Sequence, residues 1–167
     1  MTSRWHLAQI NVGRIREPLD TPLLADFVSA LEPINALADA SPGFVWRLVG
    51  EGDDATSLRP YPDDDMMLVN MSVWTSLEAL TQFVYKSAHT QVMRQRRKWF
   101  HQMEVMLALW WVPAGHIPTV TEAIERLRHL EQHGPTPHAF TFRVPFPAPD
   151  ATVKVAPLPK EDECPPP

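Results

Sequence analysis

The chain alternates between two periodicities, and that alternation limits its fold more than composition does. Residues 5–12 repeat with period two: His6, Ala8, Ile10 and Val12 share one face, and Trp5, Leu7, Gln9 and Asn11 share the other. Such a repeat is the signature of a strand. Residues 44–49 behave likewise, with Phe44, Trp46 and Leu48 against Val45, Arg47 and Val49. Residues 66–74 set a wholly apolar face (Met67, Val69, Met71, Val73) against a mixed one (Leu68, Asn70, Ser72, Trp74). Residues 105–112 and 140–146 supply two further strand candidates, the latter through Phe140, Phe142, Val144 and Phe146.

Helical spacing fills the intervals. Thr21-Pro22 reads as an N-cap followed by proline at the first helical position, and Leu24, Phe27, Val28, Leu31, Ile34, Asn35 and Ala38 carry the stripe to Ser41-Pro42-Gly43. Pro33 should kink that helix or end it early, because it removes a backbone donor. Thr75-Ser76-Leu77-Glu78 and Thr119-Val120-Thr121-Glu122 both have the form of a capping box. The first opens a helix through Leu77, Leu80 and Val84, with a joint at Ser87-Ala88-His89 and a second helix from His89 to Met103. The second opens a helix whose stripe is Val120, Ala123, Ile124, Leu127 and Leu130, stopped by Gly134.

The predicted order is β-α-β-β-α-α-β-α-β. It implies an α+β fold: a ferredoxin-like antiparallel sheet with helices on one face, plus an added helix and strand. Helices on one face leave the other to be covered, and several strands are apolar or aromatic on both sides. A second copy of the chain is the economical cover, which predicts a homodimer and a dimeric α/β barrel. At 167 residues one core is expected. Residues 1–146 are assigned to that domain, and 147–167 to a Pro-rich, mobile C-terminal tail. The polar stretch 51–65, with Asp53, Asp54, Asp63, Asp64 and Asp65, reads as a solvated loop.

A net charge of -5 draws the chain neither to nucleic acid nor to anionic membranes. The most apolar run, 105–112, is too short to cross a bilayer as a helix. The single cysteine, Cys164, cannot form an internal disulfide, and the N-terminus lacks the apolar core of a signal peptide. A cytoplasmic location is therefore expected. No phosphate-binding loop, dinucleotide fingerprint or nucleophile elbow is present.

Several segments resemble a known bacterial family. They include Leu7-Ala8-Gln9-Ile10-Asn11, Ser41-Pro42-Gly43-Phe44-Val45-Trp46-Arg47, Asn70-Met71-Ser72-Val73-Trp74, Arg97-Lys98-Trp99-Phe100, Leu109-Trp110-Trp111-Val112-Pro113-Ala114-Gly115-His116 and His133-Gly134-Pro135-Thr136-Pro137. The family is known as a domain of unknown function (number 3291), and the resemblance runs from Leu7 to Phe146. It implies a dimeric α/β barrel of the antibiotic-biosynthesis-monooxygenase superfamily. Similar barrels there act as cofactor-free oxygenases, haem-binding enzymes, isomerases or plain binding proteins, so fold alone names no reaction.

The candidate catalytic residues are His89 and Arg96. Helical spacing sets His89, Val92, Met93, Arg96, Phe100 and Met103 on one apolar face. A buried guanidinium there needs an anion, either from a ligand or from an internal partner such as Glu104. His89 suits a general base, an axial haem ligand, or a polar residue satisfying helix-end amides. The ligand-binding candidates on the strands are Gln9, Asn11, Trp46, Asn70, Ser72, Trp74 and Trp110; all but Trp46 are read, together with Arg47, as falling on the mixed faces, and polar groups among aromatics orient ligands in cavities. Trp99, Phe100 and the loop residue His116 complete the set. A wet dimer interface and plain core packing explain the same residue types. His129 and His133 have the spacing of two metal ligands but lack a well-placed third in the sequence, so no metal is expected. No resident cofactor is expected either, haem through His89 being the alternative. Three readings remain open: a monooxygenase-like enzyme acting on a planar or aromatic metabolite, a non-catalytic ligand-binding or stress-related module, and a haem-binding protein.

Overall fold

The computed structural model describes residues 4–150, apart from 53, 87, 88, 104 and 105; the side chains at 86, 89 and 92 also lie outside the described set. Four strands form one antiparallel sheet: β1 (Trp5–Arg14), β2 (Phe44–Arg47), β3 (Met67–Trp74) and β4 (Leu107–Pro113). Their order is β2-β3-β1-β4. That order, with every pairing antiparallel, is the split βαβ arrangement expected from the sequence.

Register fixes which residues share a face. Gln9 lies opposite Ser72 and Leu109, and Asn11 opposite Asn70 and Leu107. The mixed faces of β1 and β3 therefore coincide. The helices α1 (Ala25–Asp39), α2 (Leu77–Lys86), α3 (His89–Met93) and α4 (Arg96–Trp99) belong to this side. The opposite face (Ala8, Ile10, Val12, Val69, Met71, Val73, Ala108, Trp110) packs on Ala123, Ile124, Leu127 and Leu130 of α5 (Val120–His133). Helices on one face thus describes the ferredoxin-like core, and the added helix takes the other. Cover that the sequence left to a second copy comes, on this face, from within the chain.

Helix ends follow local chemistry. Thr119 Oγ1 accepts from the Glu122 amide at 3.1 Å, half of the expected capping box. The Glu122 carboxylate turns instead to His116 Nε2, also at 3.1 Å. A Thr119→Ala variant is expected to lose about 1 kcal/mol, because one orphan amide of α5 loses its acceptor; chemical denaturation measures it. At α2 the cap lies one residue later than the sequence suggests: Ser76 Oγ accepts from Ala79 N at 3.1 Å, while Thr75 N bonds the Gly43 carbonyl at 2.8 Å. Thr21 does not cap either. Its hydroxyl donates to the Pro18 carbonyl (2.7 Å) ahead of a 3-10 turn, Pro22–Leu24. Pro33 neither ends nor divides α1. Pro33 and Ser29 are both exposed, so the carbonyl freed by the missing donor faces water.

Two expected elements are shorter than their patterns. The helix predicted for 89–103 breaks at Arg94–Gln95 and stops at Trp99, where Phe100 becomes extended and bridges Ile15. Met103 packs with the opposite side of the sheet. The strand predicted for 140–146 reduces to one bridge, Phe140 with Leu109, closed by two 2.8 Å bonds. Phe140 and Phe142 alternate as sequence suggests and are buried, but Val144 N then bonds Thr141 Oγ1 and the chain turns away. Most of the predicted tail, from 151 onward, lies outside the described residues.

Candidate functional site

Between the mixed face of the sheet and the helices lies a cavity of about 150 Å³. Its wall is apolar for a sequence-level reason. Helix α1 presents Phe27, Leu31, Ile34 and Ala38 at helical spacing, and α2 adds Leu80, Phe83 and Val84. Met93, Phe100, Leu107 and Phe142 complete it. The segment read as a solvated loop also contributes, since Asp54, Ala55 and Thr56 line the mouth and Ala55 is buried. Arg59 holds that loop by donating to the carbonyls of Leu58 (2.9 Å), Asp65 (2.8 Å) and Thr56.

The floor is a ladder of neutral polar side chains. Gln9 Nε2 donates to Asn70 Oδ1 and to Ser72 Oγ, both at 2.8 Å. Asn11 Nδ2 donates to Gln9 Oε1 at 3.0 Å, and Trp74 Nε1 donates to Ser72 Oγ at 2.8 Å. Gln9, Asn11 and Ser72 are only 4–7% exposed, and Asn70 stands at the open end. A buried amide network of this kind costs desolvation unless its members satisfy one another, which these do. Ser72 Oγ receives two donations, so its own hydrogen remains to be given elsewhere. The floor therefore offers a ligand both donors and acceptors without any charge.

Charge is confined to the mouth. Among the described lining residues only Arg47 and Asp54 are ionisable. Arg47 is tied to Asp39 at the end of α1, with Nε–Oδ1 at 2.7 Å and Nη2–Oδ2 at 3.3 Å. The fork joins β2 to α1 at the entrance.

The other expected residues fall elsewhere. Trp110 pairs with Ala8 and so sits on the α5 side of the sheet, not on the mixed face. Trp46 is half-buried on that same side. Trp99 packs on Phe27, with ring centroids 5.5 Å apart, while the adjacent Phe100 reaches the cavity. Arg96 is buried as its spacing predicts, but it lies over the Phe100 ring (5.6 Å) and against Met106 Sδ (3.5 Å) and is not part of the lining. The break after Met93 explains this, because it rotates α4 away from the stripe that a continuous helix would have kept. His116 is exposed and paired with Glu122. The side chain of His89, and Glu104, lie outside the described set. Sequence reasoning did not name the wall residues of α1 and α2 as ligand contacts; their helical stripe was the signal, read only as core.

Solved structures with a similar fold are distant in sequence. SnoaB, a cofactor-independent oxygenase from Streptomyces nogalater, is 19% identical, with a TM-score of 0.45 over 67% of this chain and 95% of that one. A Nitrosomonas europaea protein of unknown function is 14% identical, with a TM-score of 0.43 over 70% of this chain and 97% of its own. No curated protein matches the chain. The sequence pattern of one family, described as Domain of unknown function (DUF3291), matches residues 6–156, and the chain belongs to that family.

Proposed function

We propose that this protein takes a planar, largely apolar metabolite into the cavity and acts on it as a small-molecule enzyme of the monooxygenase-like barrel class. The observation that carries the reading is the neutral ladder Gln9–Asn70–Ser72–Trp74 at the floor of a wall rich in Phe and Leu. A cavity near 150 Å³ holds at least one aromatic ring. Aromatic walls grip the faces of such a ring, and the amides orient a hydroxyl or carbonyl on its edge. Because the floor carries no charge, a neutral polar group fits it better than a carboxylate, which would lose its hydration without gaining a cation.

The test uses two probes of one shape, 2-naphthol and 2-naphthoate, followed by fluorescence. Expected is saturable binding of 2-naphthol and weaker binding of the anion. Gln9→Leu removes both donations from Nε2 and should weaken 2-naphthol at least about tenfold, the equivalent of roughly 1.4 kcal/mol. Absence of binding at millimolar probe, or equal binding by the Gln9→Leu protein, would overturn the reading. Oxygen uptake in the presence of bound ligand separates an enzyme from a protein that only binds.

A further inference from the structure

Helix α5 carries Glu125, His129 and His133 at four-residue intervals, so all three fall on one helical face. After Gly134 the chain doubles back, closed by paired backbone bonds between Thr136 and Ala139 at 2.9 and 3.2 Å. That turn returns His138 to the same face. The His129 and His138 ring centroids are 4.4 Å apart. One carboxylate oxygen of Glu125 and one ring nitrogen each of His129 and His138 lie within 4.8 Å of one another. The linear sequence offers only the pair on the helix; the turn supplies the ligand it lacked.

We propose that Glu125, His129 and His138 form a binding site for a divalent first-row transition cation of the zinc type, on the side of the sheet opposite the cavity. Two imidazoles and a carboxylate are a ligand set that zinc accepts, with water in the remaining position. Bonds of about 2.0–2.1 Å in a tetrahedron place ligand atoms roughly 3.3 Å apart. Glu125 and His138 already meet at 3.0–3.1 Å. Glu125 is exposed, and its carboxylate contacts are to the side chains of His138, at 3.0–3.1 Å, and of Arg126, whose Nε lies 3.6 Å away, so closing on a cation takes side-chain rotation at the ligands. Thr136 Oγ1 stands 3.2 Å from His129 Nε2 and steadies that ring, the part that outer-sphere partners play around bound metals.

Arg126 restrains the site. Its Nη1 lies 2.9 Å from His138 Nδ1 and donates to the His138 carbonyl at 2.8 Å. A guanidinium only donates, so His138 Nδ1 is the acceptor and Nε2 holds the proton, aimed at Glu125. A cation at Nε2 displaces that proton, which passes through water to Nδ1, and Arg126 must turn aside. Metal affinity is thus set by competition between a cation and an arginine for the two sides of one imidazole.

Untagged, chelator-treated full-length protein titrated with Co(II), read by its visible absorption, and with Zn(II), read by calorimetry, tests the site. Expected is one cation per chain with micromolar affinity, and a rise in unfolding temperature on binding. His129→Ala and His138→Ala should each weaken it at least about tenfold, the scale lost even with outer-sphere partners. His101→Ala, an exposed histidine elsewhere, should leave it unchanged. Arg126→Met should tighten it severalfold. Circular dichroism confirms that each variant is folded. The site is disproved if no absorption develops at millimolar cobalt, or if the His129→Ala/His138→Ala double variant binds and is stabilised as the native protein is. Unchanged or weaker binding by Arg126→Met would overturn the restraint.

Discussion

A Gly43→Ala variant is expected to lose roughly 2–5 kcal/mol of folding stability, a large part of the ~5–15 kcal/mol typical of a domain. Gly43 links α1 to β2 with φ +85°, a conformation that side chains resist at about 1–2 kcal/mol. A Cβ there would sit 2.4 Å from Ala79 Cβ and 2.7 Å from Thr75 Oγ1. Neither neighbour yields as the tip of a long side chain would. Ala79 Cβ is fixed to α2, and the Thr75 amide is held by the Gly43 carbonyl. Relief means moving α2 off the sheet, an overpacking cost of about 1–3 kcal/mol. Gly115→Ala is the control: φ is +93° there, yet nothing lies within 4 Å of the added carbon. The difference between the two denaturation midpoints isolates the close approach. Equal losses would show that the turn conformation alone matters. Since α2 walls the cavity with Leu80, Phe83 and Val84, the Gly43 variant should also bind 2-naphthol more weakly.

How much of this was legible in the sequence depends on the range over which each signal acts. Period two in β1 and β3 named both faces correctly, because alternation needs no knowledge of the partner strand. That is why Gln9, Asn11, Asn70, Ser72 and Trp74 were grouped before the register that joins them was visible. Trp110 was misassigned for the complementary reason: its side of the sheet depends on pairing opposite Ala8, a long-range fact. Helical periodicity failed at 89–103 because it assumes an unbroken helix. The turn at Arg94–Gln95 shifts the phase, and with it Arg96. The second histidine of the proposed cation site was illegible for a similar reason, since only the fold of 134–139 brings His138 beside His129.

Trp74→Ala is expected to cost about 3–5 kcal/mol, the range for deleting a large aromatic from a core. Trp74 is 0% exposed and serves three neighbours at once. Phe83 stacks on it at 5.2 Å and 25°, which ties α2 to the sheet. Phe44 meets it edge-on at 5.4 Å and 83°, which ties β2 to β3 beside the bulge between Phe44 and Trp46. Its Nε1 donates to Ser72 Oγ and so fixes how the floor of the cavity presents its hydroxyl. Trp74→Phe separates these duties. It keeps an aromatic ring against Phe83 and Phe44, removes the indole donor, and should cost only about 1–2 kcal/mol. Ser72 then regains a free lone pair, and the ladder loses its anchor on that side. If the ladder orients a ligand, Trp74→Phe should weaken 2-naphthol by more than its small stability loss explains, measured at a temperature where both proteins are fully folded. If binding stays native while stability falls, Trp74 serves packing alone, and the floor's orientation is set from the Gln9 side by its bonds to Asn70 and Asn11.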